Sequence, residues 1–329
     1  MKIGILGATG AVGRQMLICI EERKLQPSEV RLFASQRSLG KKIPFGGTEL
    51  TVETVSQERL NGLDYVLGAV SNSLSKKYRP MIEKAGAVYI DNSSAFRMDE
   101  DVPLVIPEIN GEDLQGHHKV IANPNCSTII ALMALAPIAK LSKITAVNAC
   151  TYQAVSGAGM NGISELEDEI EAVRKKEEVH PHVFPAQIAY SCIADIGTML
   201  DSGYTTEEMK MQNEGRKILH LPDMKVTCTC VRVPVFRSHS ISATFQTEKK
   251  LSIAEAEKAV ASFAGDVLCT DHIPTPLETS DQDLVYVGRI RQDLCNEKGL
   301  ALWCCGDQIR KGAASNAVQI IEYLDHESA

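Results

Sequence analysis

The chain has 329 residues, 44% of them apolar and 23% charged, with a formal net charge of -8. That length accommodates two domains of ordinary size and a substantial core. The acidic balance, with no concentrated Lys/Arg block, argues against nucleic acid as the main partner, and no apolar run is long enough to cross a bilayer.

Ile3 to Leu6 reads as a short buried strand, followed at once by Gly7-Ala8-Thr9-Gly10-Ala11-Val12-Gly13 and a helix with apolar residues at Met16, Leu17 and Ile20. Strand, glycine turn and helix are the context of a dinucleotide site. Glycines let the backbone approach a pyrophosphate, and the helix N-terminus stabilises its charge. The spacing is GxxGxxG rather than GxGxxG, so the motif alone also allows a tight turn without a ligand. The next strand, Val30 to Ala34, leads into Ser35-Gln36-Arg37-Ser38. An NAD site would place Asp or Glu there for the ribose 2′-hydroxyl. A guanidinium and two hydroxyls suit a 2′-phosphate instead, which predicts NADP; the alternative is a solvated basic loop shared with Lys41 and Lys42.

Tyr65 to Val70 reads as a strand ending in Ser71-Asn72-Ser73, then a helix follows from Lys76 to Ala85, then a strand, Ala87 to Ile90, ending in Asp91-Asn92-Ser93-Ser94. Strands separated by helical segments predict a parallel, doubly wound sheet whose ligands gather at the carboxyl ends of its strands. Arg97, just past that last loop, would hold an anion at such an edge and is otherwise an ordinary surface charge. After Val120-Ile121-Ala122 comes Asn123-Pro124-Asn125-Cys126-Ser127-Thr128, then a helix from Ile129 to Lys140. A cysteine at a helix N-terminus meets free N–H groups and the positive end of the dipole, which favour the thiolate. The same N–H groups can cradle an oxyanion. Cys126 is therefore the candidate nucleophile; the alternative is a small buried hydrophobe.

Beyond that helix the texture changes. Ile144 to Gln153 reads as a long strand ending in the glycine-rich turn Ala154-Val155-Ser156-Gly157-Ala158-Gly159. Ile163 to Lys176 is a charged helix with a thin apolar stripe, and further strands run from Lys225 to Phe236 and from Ser240 to Gln246. Long β-segments with few helices predict an antiparallel or mixed sheet, flat enough to serve as a subunit interface. Thr227, Thr229 and Val231 alternate with Cys228, Cys230 and Arg232, which directs Arg232 to one face. His239 is the histidine embedded between strands beside that arginine, whereas His117, His118, His180, His182 and His326 read as surface. The ten cysteines are scattered, and Cys228/Cys230 and Cys304/Cys305 lack zinc-ribbon spacing, so no metal is expected. The chain enters structure directly from Met1, which predicts no signal or transit peptide and a cytoplasmic protein with reduced thiols.

Taken together, these residues resemble the aspartate-semialdehyde dehydrogenases along essentially the whole chain. The resemblance is carried by GATGAVG at 7–13, SQRSLGK at 35–41, DNSSAFR at 91–97, NPNCST at 123–128, QAVSGAG at 153–159, EEMKMQNEGRKI at 207–218, RVPVFRSH at 232–239 and GDQIRKGAASNAVQI at 306–320. It implies NADP-dependent reductive dephosphorylation of L-aspartyl 4-phosphate to L-aspartate 4-semialdehyde, at the branch toward lysine, methionine and threonine. It also implies that Cys126 is the nucleophile and His239 the acid/base. Gln153, Asn125 and Arg232 would bind the substrate, Arg232 through the α-carboxylate. Glu207 would meet the α-ammonium, while Arg97 and Lys210 would hold phosphate. Gly7, Thr9, Gly10, Ala11, Val12, Ser35, Arg37, Ser38, Ser156, Gly157 and the C-terminal Gln308 or Asn316 would contact NADP. The segment Leu67 to Asn72 departs from many members, which carry a glycine pair there.

The implied chemistry suits these residue types. A thiolate expels phosphate to give a thioester, hydride reduces it, and a histidine with pKa near the operating pH takes the hydroxyl proton as the thiohemiacetal collapses. Glu207 and Lys210, three apart, would share one helical face, as an ordinary surface ion pair also would. The expected fold is α/β: a Rossmann-type NADP-binding domain over 1–125, joined by a C-terminal helix within 307–329, plus an α+β catalytic and dimerisation domain with a mixed sheet over 126–306. One rival is N-acetyl-glutamyl-phosphate reductase, which typically has a glycine before the cysteine and an aromatic after it, where Asn125 and Ser127 stand here. Another is a non-catalytic NADP-binding sensor, which would need a damaged site. The expected partners are aspartyl phosphate, aspartate semialdehyde, phosphate and further copies of the chain in a homodimer or homotetramer, with neither nucleic acid nor membrane.

Overall fold

A computed structural model describes residues 1–328 of the chain, and the side chains of residues 1–325. The expected surface position of His326 and the end of the C-terminal segment at residue 329 lie outside the described residues. The chain forms two compact units: Met1–Asn125 together with the chain from Ala313 onward, and Cys126–Gly312.

The first unit carries strands β1 (Lys2–Leu6), β2 (Glu29–Phe33), β3 (Lys42–Phe45), β4 (Thr48–Glu53), β5 (Tyr65–Gly68), β6 (Val88–Asp91) and β7 (Val120–Ala122). Its helices are α1 (Ala11–Glu22), α2 (Gln57–Leu60), α3 (Asn72–Lys84), α4 (Pro107–Asn110) and, last in the chain, α10 (Ser315–Ser328). The sheet order is β3-β4-β2-β1-β5-β6-β7, parallel except for the β3–β4 pair. Ile3 and Ile5 are fully buried because the central strand is covered on both faces. Met16, Leu17 and Ile20 of α1 share one core with Ala317, Val318, Ile320 and Ile321 of α10.

Register sets the useful edge. Leu6 stands opposite Phe33 and Gly68, Gly68 opposite Asp91, and Asp91 opposite Ala122. The loops that begin at Gly7, Ala34, Ala69, Asn92 and Asn123 therefore all leave from one edge. β1 is also where strand order reverses, with β2 on one side and β5 on the other, the crevice in which open α/β sheets bind ligands.

The second unit carries strands β8 (Ile144–Gln153), β9 (Lys225–Arg232), β10 (His239–Thr247), β11 (Asp266–Cys269), β12 (Val285–Gln292) and β13 (Gly299–Gly306). Its helices are α5 (Cys126–Ala139), α6 (Met160–Lys175), α7 (Thr206–Ile218), α8 (Ile253–Ala261) and α9 (Pro276–Thr279). The sheet, ordered β11-β12-β13-β10-β8-β9, is mixed: β8–β9 and β11–β12 are parallel, the other pairs antiparallel. α5 is apolar on every side, and Ser127 to Ile138 are buried against α7, α8 and the sheet, as a helix without a polar face requires. The opposite face exposes Asn148, Tyr152, Thr227 and Thr229 and half-exposes Cys150, Ser242 and Thr244.

Among the boundaries that differ from the sequence reading, two have a clear local cause. β9 stops at Arg232 rather than Phe236, because Pro234 has no N–H for a ladder and Ser238 turns into the left-handed region at φ 70°. The C-terminal helix starts at Ser315 rather than Lys311, because Arg310–Ala314 form a π-helical turn, a widening frequently found at functional sites.

Candidate active site

In the first unit a cavity of about 350 Å³ opens at the carboxyl ends of β1, β2 and β5, lined by Gly7, Thr9, Gly10, Ala34, Ser35 and Ala69 among others. Gly7 has φ 78°, and a Cβ there would run into the Ala69 carbonyl. A Cβ on Gly13 would meet Gly7 Oand Ala8 Cα, so this glycine serves the packing of α1 against β1. Gly10 caps α1 without a side-chain bond, which leaves the first-turn amides around Ala11 and Val12 for an anion. Past β2, Ser35 and Arg37 are exposed on a 3₁₀ turn that has no carboxylate, an environment that fits a 2′-phosphate. The turn folds Ser38 inward, to 8% exposure.

Arg97 is buried, and its Nε and Nη2 donate to the carbonyls of Asn123 (3.0 Å) and Asn92 (2.8 Å). It thereby ties together the loops after β6 and β7. Asn125, also buried, is the last residue of the first unit before Cys126. Asn316 departs from the cofactor contact expected of it. It is fully buried, and its amide donates to Val105 O (2.9 Å) and Asn123 Oδ1 (2.8 Å), so both hydrogens brace the loop after β7.

In the second unit Cys126 is half-buried as the first residue of α5, its Sγ 3.5 Å from Nε2 of His239. The His239 ring is fully buried, and its Nδ1 accepts the backbone N–H of Ala154 at 3.1 Å. Burial, and next the Arg232 charge, push the His239 pKa down to about 3. Burial, which penalises the imidazolium, was invisible in the sequence.

Arg232 comes from the last position of β9, paired in register with Gln153 at the end of β8. Its Nη1 donates to Ala154 O at 2.7 Å, and its guanidinium carbon lies 5.7 Å from the centre of the Phe184 ring. Its Nε is buried and has no hydrogen-bond partner among the described residues. A buried guanidinium donor without a protein acceptor costs free energy, which a carboxylate at that nitrogen would offset. Arg232 lines a cavity of about 460 Å³ with Phe184, Ile193, Asp195 and Gly197. Gln153 Nε2 reaches Thr151 Oγ1 (3.2 Å) and Glu207 Oε1 (3.4 Å), and the other Glu207 oxygen is 2.7 Å from Lys210 Nζ. Cys126, Gln153, Glu207, Lys210, Arg232 and His239 are thus linked through one chain of contacts.

The turn after β8 closes this cluster. A Cβ on Gly157 would sit 2.6 Å from Arg232 Nη1 and 3.5 Å from His239 Cε1, so a larger residue there would have to displace the guanidinium. Ser156 Oγ accepts from Gln308 Nε2, and Gln308 Oε1 accepts the Ser238 N–H at 2.8 Å. Gln308 is 3% exposed and fastens both flanks of the His239 pocket.

Three features escaped the sequence reading. A Cβ on Gly312 would lie 2.8 Å from Cys126 Cβ and 3.2 Å from its Cα, so the π-helical turn packs directly on the nucleophile. The signal was available: a glycine inside an expected helix costs about 1 kcal/mol relative to alanine and calls for a reason. Phe184 under Arg232 is the second. The third is the pair of acids that hold it, Glu165 and Glu169 of α6, both buried. Glu165 accepts the N–H groups of His182, Val183 and Phe184, and Glu169 those of Ile188 and Ala189.

Residues 2–117 match the family described as semialdehyde dehydrogenase, NAD binding domain, and residues 135–311 that described as semialdehyde dehydrogenase, dimerisation domain. The aspartate-semialdehyde dehydrogenase of Aquifex aeolicus is 45% identical, the alignment covering 99% of this chain and 98% of that protein. The Bacillus subtilis enzyme of the same name is 43% identical, with 98% and 97% covered. The crystal structure of aspartate semialdehyde dehydrogenase II from Vibrio cholerae complexed with ASA matches with a TM-score of 0.97 at 40% identity, covering 99% of this chain and 98% of that one.

Proposed function

We propose, because this chain belongs to the aspartate-semialdehyde dehydrogenase family, that it catalyses the NADPH-dependent reductive dephosphorylation of L-aspartyl 4-phosphate to L-aspartate 4-semialdehyde. The reaction passes through a thioester on Cys126. The observation that carries this reading is the Cys126 sulfur at a helix N-terminus, 3.5 Å from a buried histidine, in one cluster with a guanidinium whose Nε lacks an acceptor.

The Cys126 thiolate, favoured by the first-turn amides of α5, attacks the acyl carbon, and phosphate departs. The same amides stabilise the negative oxygen of the tetrahedral intermediate. Arg232 is anchored through Nη1 on Ala154 O, which leaves its Nε side to grip the α-carboxylate of the substrate. Glu207, facing Gln153 and Lys210, takes the α-ammonium, and Gln153 orients the acyl group. NADPH is consumed as the hydride-donating substrate, and Gly7, Thr9, Gly10, Ala11, Val12, Ser35 and Arg37 would hold it. The open face of the second unit's sheet, around Asn148, Tyr152, Thr227 and Ser242, is the proposed surface for a second copy in a homodimer. Among the described residues no helix is long and apolar enough to cross a membrane, and the cytoplasm is the proposed location. The rival N-acetyl-glutamyl-phosphate reductase is not favoured, since full-length relatives at 43–45% identity carry the aspartate-semialdehyde name. A non-catalytic sensor is not favoured either, with Cys126, Gln153, Arg232 and His239 all in place.

The deciding assay follows NADP reduction with aspartate semialdehyde while phosphate is varied and then omitted. Phosphate-dependent turnover is expected; turnover without phosphate, or none with this aldehyde, would sink the reading. Replacing Arg37 with alanine removes the proposed 2′-phosphate contact, worth about 1.5–3 kcal/mol, or roughly 10–100-fold in Kd. Fluorescence titration should show that loss for NADPH and almost none for NADH. An equal loss for both would place the 2′-phosphate elsewhere. Gly312→Ala should push Cys126 out of line and lower kcat by about 10–100-fold, since misplacement by about 1 Å costs that much. An unchanged kcat would mean that the π-helical turn yields instead.

A further inference from the structure

We propose that Glu165, with Glu169, is a positioning residue for substrate binding: the two buried carboxylates of α6 fix the Arg232 guanidinium through the loop that carries Phe184 and Ile193. This rests on the activity proposed above, in which Arg232 grips the α-carboxylate, and adds what holds that grip in place. Neither acid lines the cavity beside Arg232, so neither meets substrate. Both are almost wholly buried, at 1% and 3% exposure. A buried carboxylate is costly unless donors surround it, and here the donors are backbone amides of one loop. Glu165 Oε2 accepts the N–H groups of His182 (3.0 Å) and Val183 (2.5 Å), and Oε1 that of Phe184 (2.9 Å). The largely exposed His182 ring adds a contact to Oε2 at 2.9 Å. One helical turn on, Glu169 Oε2 accepts the N–H groups of Ile188 (2.7 Å) and Ala189 (2.8 Å).

The chain between α6 and α7 forms no helix or strand of its own. Left to itself, such a segment gives its amides to water and moves. The two carboxylates replace that water with fixed acceptors, and what they fix is the surroundings of Arg232. Phe184 lies under the guanidinium, its ring centre 5.7 Å from the guanidinium carbon, and packs with Val155, Leu166, Ile188 and Ile193. Gly162 lets α6 approach that ring, since a Cβ there would sit 3.1 Å from Phe184 Cζ. Ile193 exchanges both backbone bonds with Arg232: its N–H donates to Arg232 O at 3.0 Å, and its O accepts the Arg232 N–H at 2.8 Å. β9 is an edge strand of its sheet, so Gln153 of β8 supports Arg232 on one side only. The loop supplies the other side. Arg232 therefore takes its backbone position and its ring support from a segment that two acids hold down.

This route decides which kinetic constant responds. The Arg232 grip is made to bound substrate and kept through the reaction, so loosening it raises KM more than it lowers kcat. Cys126 and His239 have their own supports: the start of α5 for one, and the Ala154 amide and the Gln308 bond to Ser238 for the other. None of these contacts involves a residue of α6 or of the loop. Both oxygens of Glu165 are in use, so a glutamine there must turn its NH₂ toward an amide N–H that needs an acceptor.

The test is steady-state kinetics of Glu165→Gln with each substrate varied in turn. KM for aspartate semialdehyde should rise by about 10–30-fold, as when part of a charged grip is lost, with kcat within about threefold. KM for phosphate and for NADP should move by less than about twofold. In an Arg232→Lys background the same substitution should cost less than about threefold in kcat/KM, because residues acting through one contact are not additive. An unchanged KM for the aldehyde, an equal loss in both backgrounds, or a loss shared by all three KM values overturns the proposal. Glu169→Ala, which frees Ile188 and Ala189 alone, should raise the same KM by about 3–10-fold. Amide hydrogen exchange of the wild-type protein decides the matter even where a variant does not fold. The segment 182–189 should be protected without substrate, and exchange as fast as in a free peptide overturns the proposal. Absence of wild-type turnover would instead strike the activity, since exchange reads the loop alone.

Discussion

Cys126→Ser is expected to lower kcat by about 10⁴–10⁶-fold, the range seen when a covalent nucleophile is removed. The hydroxyl keeps the size and position of the thiol at the start of α5, so the melting temperature should stay close to that of the wild type. What changes is ionisation. The helix N-terminus can draw a thiol, with an ordinary pKa near 8.5, toward neutrality, but not a hydroxyl. An ester is also a poorer hydride acceptor than a thioester. Steady-state NADP reduction with aspartate semialdehyde and phosphate measures the loss, and activity within tenfold of wild type would remove Cys126 from its role.

Arg232→Lys should lower kcat/KM by about 10²–10³-fold although it conserves charge. The guanidinium does two things at once: it spends Nη1 on Ala154 O and keeps a buried Nε that has no acceptor among the described residues. An ammonium is a single point with no rigid fork, and it cannot serve both places. Leaving a carboxylate imperfectly paired in a desolvated pocket costs about 2–5 kcal/mol, or roughly 30- to several-thousand-fold. The loss should appear in kcat as well as KM, because Ala154 also holds His239 through its N–H. An unchanged kcat/KM would take the α-carboxylate away from Arg232.

The nucleotide edge was legible in the sequence because its determinants are local: a buried strand, three glycines at fixed spacing, and an acid-free turn after the second strand. Arg232 was legible by strand alternation, and Cys126 by its place before an apolar helix. What could not be read depends on residues brought together from afar. The partner of His239 on one side is 113 residues away and on the other 85. Its burial leaves no mark on the flanking residues. Gln308 and Asn316 suit a cofactor by residue type, but a buried amide first satisfies whatever surrounds it, and packing decides what that is. Glu165 and Glu169 sit in a charged helix where sequence alone suggests solvent, and only the fold turns them inward onto backbone amides.

The first unit is assembled from both ends of the chain, and this has a consequence for biosynthesis. Ile3, Met16 and Ile20 share their core with Ala317, Val318, Ile320 and Ile321. A ribosome must therefore deliver all of Cys126–Gly312 before the N-terminal sheet receives its closing helix. At about 5–20 residues per second, the nucleotide half waits tens of seconds with an open apolar face. The half that bears the thiol has its whole core by Gly312 and is complete first. A premature stop just past that glycine would thus damage the oldest part of the nascent chain and leave the newest intact.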